Sequence, residues 1–177
     1  MKTKILTLFI AIALTATTFA HASEPSSLPI PVEQKMGYVS IGTGPLPILL
    51  PVFSGGYRFQ SGSYGGDFPL QVITLGEATH MKTSALFHYY PKPNLNSQWY
   101  FGGGIGPGAY FEKIWSRKWK SGFTFSPELV IGQQYRTKAG NSRFLQAQIS
   151  IPTIASKKSH IETIKIPLVI VNYGFGF

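Results

Sequence analysis

The feature that most restricts this chain is alternation. Its last nine residues, VIVNYGFGF, put Val169, Val171, Tyr173, Phe175 and Phe177 at every second position, with Ile170, Asn172, Gly174 and Gly176 between them. Successive side chains of a strand point to opposite faces, so this stretch has one bulky apolar face and one that shrinks to Asn and Gly. The pattern recurs upstream. Trp99, Phe101, Ile105, Ala109 and Phe111 oppose Gln98, Tyr100, Gly102, Gly104, Gly106, Gly108 and Tyr110. Phe123, Phe125, Leu129, Ile131 and Tyr135 oppose Thr124, Ser126, Glu128, Gln134 and Arg136. Leu145, Ala147, Ile149 and Ile151 oppose Gln146, Gln148 and Ser150, and Phe53, Tyr57 and Phe59 oppose Ser54, Arg58 and Gln60.

Turn formers and charges divide the chain after residue 35 into eight strand-like runs: 36–44, 53–61, 67–76, 80–90, 98–112, 120–136, 142–151 and 164–177. The connections are PLPILLPV, GSYGG, EAT, PKPNLNS, KIWSRKW, TKAGN and PTIASKKSHIET. No helical period competes there.

The polar face decides what kind of sheet this is. A soluble sheet loads its solvent face with Lys and Glu. Here that face is Gly, Ser and Gln with a few ions, and only 13% of residues are charged while Phe, Tyr and Trp reach 14%. An ordinary soluble domain is about a quarter charged. Such a face suits a crowded polar interior, and the apolar face, at roughly ten residues per strand, is long enough to cross a bilayer when tilted. Lipid offers no water to an open sheet edge, so the sheet must close. The expected fold is all-β: a closed antiparallel up-and-down transmembrane β-barrel of about eight strands, the last pairing with the first.

The start of the chain agrees with export. MKTKILTLFIAIALTATTFAHA has a basic head (Lys2, Lys4), an apolar run and Ala20-His21-Ala22, which reads as a secretory signal peptide over 1–22, cleaved after Ala22. Residues 23–35, with three prolines, read as an extended leader, and 36–177 as the barrel. There is no cysteine, which excludes disulfides, thiolate metal sites and a thiol nucleophile. Without Lys2 and Lys4 the chain has 14 basic and 7 acidic residues. An exported chain rarely meets nucleic acid, so phosphorylated lipid is the expected acidic partner.

The signal peptide, the even strand count, the aromatic face and the terminal Tyr173-x-Phe175-x-Phe177 resemble the small eight-stranded outer-membrane β-barrels of Gram-negative bacteria, over essentially everything after residue 35. Asn172 and Ile170 depart from the family's terminal signal, which usually carries a glycine and a polar residue at those places. The resemblance implies outer-membrane location, periplasmic termini, a monomer, no cofactor, and Tyr173, Phe175 and Phe177 as the signal read by the barrel assembly machinery. It also puts the loops holding Lys113, Arg117, Lys118, Lys157, Lys158 and His160, with Lys120 at a strand root, on the outer side near lipopolysaccharide phosphates. Trp115 and Trp119 beside them suit an interfacial belt.

Arg58, Lys82, Glu128 and Arg136 are expected to form a paired ion network in the lumen, with an arginine on Glu128, because eight strands leave room only for side chains and a buried charge needs a partner. The glycines around IGPG (105–108) make room inside the barrel; a phosphate loop would need Gly-Lys-Ser and a helix after it. Acidic residues are too scattered for a metal site. The expected role is envelope structure or surface contact without catalysis. Two alternatives stay open. One is a lipid-modifying barrel enzyme, acting by acyl transfer or deacylation, which needs His88 or His160 beside a serine and a carboxylate. Ser84 lies roughly 13 Å from His88 along a strand, and no His-x-Ser-Asn stretch is present. The other is a soluble, lipocalin-like lipid-binding barrel, whose aromatic faces would point inward.

Overall fold

The computed structural model describes residues 33–44, 49–75, 78–112, 120–137, 141–151, 154–155 and 167–177. These form β1 (Glu33–Gly44), β2 (Leu50–Ser61), β3 (Tyr64–Leu75), β4 (Ala78–Thr83, then Ala85–Tyr89), β5 (Ser97–Glu112), β6 (Lys120–Arg136), β7 (Ser142–Ser150, resumed at Ile154–Ala155) and β8 (Leu168–Gly176). Each strand pairs antiparallel with its neighbours in the chain. β8 then returns to β1, from Tyr38 opposite Gly176 to Thr43 opposite Val171, and closes the sheet. The fold is an all-β, closed, up-and-down barrel, and no described helix is long and apolar enough to cross a membrane.

Register sets the bore. Opposed pairs lead from Glu33 through Ser61, Tyr64, Tyr89, Phe101, Ile131, Ala147 and Val171 back to β1 at Thr43, not at Glu33. That stagger over eight strands gives a strand tilt of about 40° at ordinary strand rise and spacing. A barrel of this size has an interior that side chains alone can fill.

Several boundaries differ from the sequence expectation. β1 begins at Glu33, inside the expected leader, and β2 begins at Leu50, inside the expected PLPILLPV loop. The GSYGG connection shrinks to Gly62 and Ser63, with Gly62 at φ 58°. Two-residue hairpin turns call for that positive φ. Gly65 and Gly66 belong to β3, not to the turn, because the absence of a side chain makes room beside the rings of Tyr90 and Phe59. β4 breaks at Ser84, opposite Pro69, which has no N–H to give; one bond remains, Ser84 N–H to Pro69 O at 3.0 Å. The signal peptide and most of the leader lie outside the described residues.

Alternation partitions the side chains. Val39, Ile41, Phe53, Phe68, Leu70, Phe87, Trp99, Phe101, Leu129 and Ile131 face outward and are exposed, while their chain neighbours are buried in the lumen. Near the terminal end the outward side chains are mostly aromatic: Phe59, Tyr64, Tyr89, Trp99, Phe175 and Phe177. Tyr64 stands 5.6 Å from Tyr89, which stands 5.3 Å from Phe101, centroid to centroid. The lipocalin-like alternative requires these aromatic faces to point inward, and they point outward; the interior is filled by Arg, Gln, Ser and Asn together with Tyr and a few aliphatic side chains such as Val52, Ile73 and Ile170.

Candidate functional site: the polar lumen

The inward faces bring together residues from strands that are not neighbours in the sheet. Arg58 on β2 is 1% exposed and reaches across the bore. Its Nη2 donates to Asp67 Oδ2 on β3 at 2.6 Å and to Gln146 Oε1 on β7 at 2.7 Å. Its Nη1 donates to the Tyr100 hydroxyl on β5 at 3.0 Å. Tyr38 O–H caps Asp67 Oδ1 at 2.9 Å, and Tyr100 O–H donates to Gln146 Oε1 at 2.8 Å. The guanidinium also lies against the rings of Phe144 (4.4 Å) and Tyr100 (4.8 Å). Its Nε also donates to Asp67 Oδ2 at 3.2 Å, so every nitrogen of that guanidinium has a partner, drawn from three strands, which is what a desolvated cation requires.

A second cluster lies further from the terminal end. Lys82 Nζ on β4 pairs with Glu128 Oε1 on β6 at 2.7 Å and donates to Ser150 Oγ on β7 at 3.2 Å. Gln148 Nε2 donates to Glu128 Oε2 at 2.6 Å, and Gln71 Nε2 donates to Gln148 Oε1 at 3.0 Å. Gly106 opens space for this pair, because a Cβ there would collide with Glu128 Oε1 and approach Ser84 Oγ.

The terminal end is closed by amides. Gln34 Nε2 donates to Ser142 Oγ at 2.7 Å and Gln134 Nε2 to Gln34 Oε1 at 3.0 Å, and the side-chain amides of Gln98 and Gln60 meet at 2.8 Å. Arg136 Nη2 also donates to Gln60 Oε1. A recess at this end, lined by Gln34, Met36, Gln60, Tyr90 and Gln134 with Arg58, leaves no room for a water-sized guest, far short of the roughly 300 Å3 at which small-molecule sites begin.

All four expected lumen ions, Arg58, Lys82, Glu128 and Arg136, are buried inside the barrel, but in three separate groups. The expected Arg–Glu128 pair is corrected: Glu128 takes Lys82, and Arg58 takes Asp67. Asp67 opens the expected 67–76 run, so alternation within that run does not single it out as an interior residue. Its signal was symmetry about the turn, since Arg58 and Asp67 are directly opposed across the β2–β3 hairpin.

His88 stacks on Tyr100 at 4.7 Å, and its Nδ1 is 3.5 Å from the Tyr90 hydroxyl. Ser84 Oγ is buried with no hydrogen-bond partner among the described residues. The described contacts of His88 thus include neither the serine nor the carboxylate that the acyl-transfer alternative needs. His80 Nε2 lies 3.1 Å from Thr124 Oγ1. No group of His, Asp and Glu suited to a metal ion occurs among the described residues. Of the expected outer patch, Lys113, Arg117, Lys118, Lys157, Lys158 and His160, like Trp115 and Trp119, lie outside the described residues; Lys120 opens β6. Tyr173, Phe175 and Phe177 lie on the outward face of β8, with the first two rings edge to face at 5.0 Å.

No protein-family model matches this sequence. No curated protein matches it either. Among solved structures, the backbone structure of the Yersinia pestis outer membrane protein Ail in a phospholipid bilayer nanodisc is similar at 15% identity and a TM-score of 0.44, over 81% of this chain and 100% of that one.

Proposed function

We propose that this protein is an integral outer-membrane β-barrel with a structural or surface-contact role, a side-chain-filled lumen and no catalysis. The observation that carries this reading is the exterior. Large apolar side chains that would be buried in a soluble protein stand exposed around the barrel, among them Val39 at 55%, Trp99 at 57% and Leu129 at 61%. Contiguous exposed apolar surface of that kind marks contact with a membrane or a partner. From Trp99 to Phe111 the outward face of β5 covers roughly 30 Å along the barrel axis at the tilt above, which is the thickness of a bilayer's hydrocarbon core.

On this reading the chain is exported with its signal peptide removed, the aromatic end of β8 is the signal for insertion, and the basic outer loops gain attraction from lipopolysaccharide phosphates. Cell fractionation tests it. The protein is expected in the outer-membrane fraction, resistant to alkaline washing, with a gel mobility that shifts on heating. Recovery as a soluble periplasmic protein with no heat-dependent shift would overturn the reading. Replacing Lys157 and Lys158 with Gln is expected to weaken lipopolysaccharide binding and leave barrel yield unchanged.

A further inference from the structure

The outward face of the barrel is nearly free of charge, and its exceptions are gathered in one place. Among strand residues whose side chains are described, those both outward-facing and charged are Glu33, Lys35 and Arg143. All lie at the terminal end, on the strands that flank β8. Arg143 on β7 is opposite Phe175 and holds its guanidinium 5.8 Å from that ring. Lys35 on β1 is opposite Phe59, two residues before Gly37, against which the Phe177 ring packs. Neither cation makes an ion pair among the described residues; Glu33, the one acid on this face, lies beyond Lys35 towards the end of the barrel.

We propose that the exterior of the β7–β8–β1 seam binds the headgroup of an anionic phospholipid, with Arg143 and Lys35 taking its phosphate from the two sides of β8. The proposal rests on the membrane reading above. Phe175 faces Val39 across the seam, and Lys35 lies four residues before Val39. Two strand spacings across and four residues along put the Cα atoms of Arg143 and Lys35 roughly 16 Å apart. Extended Lys and Arg side chains narrow that gap to the size of a phosphate, and such cations at a membrane interface turn their heads to the headgroups. Beyond them along the seam run Val39, Ile41 and Val171, an aliphatic strip for acyl chains. A free anion would have no use for that strip, which is why the ligand is a lipid.

The seam is also where the barrel closes, so a headgroup held by β7 and β1 clasps the strand between them. The test is the rate of urea unfolding at low salt, followed by the heat-dependent gel shift, for the full chain folded into vesicles of phosphatidylcholine alone or mixed with phosphatidylglycerol. The wild type is expected to unfold about fivefold more slowly in the mixed vesicles, the effect of roughly one favourable cation at an anionic surface. K35Q/R143Q is expected to lose that difference, and K92Q, at an exposed cation in the β4–β5 turn, to keep it. Both seam side chains are exposed, so their replacement leaves the lumen packing in place. An equal lipid effect in wild type and K35Q/R143Q overturns the clasp, as does its reproduction by inorganic phosphate in phosphatidylcholine vesicles. Failure to insert into either vesicle overturns the membrane reading and the clasp together, whereas insertion with equal rates overturns the clasp alone.

Discussion

Lys82 and Glu128 hold each other at 2.7 Å in a bore from which bulk water is excluded. Removing one partner of such a pair leaves the other charged, buried and uncompensated, which costs about 3–5 kcal/mol. Glu128→Ala is therefore expected to destabilise the folded barrel by about that amount in a urea titration, against a negligible change for Lys157→Ala. A subtler probe is Gly132, whose missing side chain makes room for the Tyr100 ring and hydroxyl. Gly132→Ala should displace Tyr100 from Arg58 and Gln146 and lower stability by about 1–3 kcal/mol, the usual effect of overpacking; an equal loss from Gly132→Ala in a Tyr100→Ala background would argue against that route. At this scale the sequence disclosed that Arg58, Lys82, Glu128 and Arg136 are interior, because each shares parity with Gly, Ser and Gln. It did not disclose their partners. Pairing across a bore depends on stagger between strands far apart in the chain, and no local pattern records it.

Strands were legible where alternation ran unbroken between charged ends. β6 spans Lys120 to Arg136, as its pattern requires. β3 was not, since Gly65 and Gly66 mimic a turn until the rings that use their space are seen. Belt residues act through the element that carries them. Leu129, 61% exposed on the outer face of β6, sits well away from both ends of its strand. Leu129→Arg should lower stability in phospholipid vesicles by about 2–4 kcal/mol, the effect of a cation near the bilayer midplane; a loss below 1 kcal/mol in the same titration would place that position outside the hydrocarbon. For β8, Phe177→Ala should reduce heat-modifiable barrel in outer-membrane fractions while Lys157→Gln does not. Equal yields would mean that the terminal alternation serves packing only.

Across the whole molecule Arg58 behaves as a crossbar, joining β2 to β3, β5 and β7 at one level of the bore. Arg58→Ala is expected to produce discrete current steps in planar bilayers where the wild-type chain produces none; a silent variant would show that the amide layer at the terminal end closes the bore unaided. The same long bonds bear on the stagger between Glu33 and Thr43. A slip of one residue at the closing seam would set the lumen face of one strand beside the lipid face of the other, an error that alternation itself forbids. A slip of two leaves both faces correct and changes only the stagger and with it the bore, so lipid and backbone would accept it. The side chains that bridge distant walls would not: Arg58 would miss Gln146, and Gln71 would miss Gln148. The polar lumen thus acts as a vernier, reading at its centre whether the cylinder was joined on the right tooth.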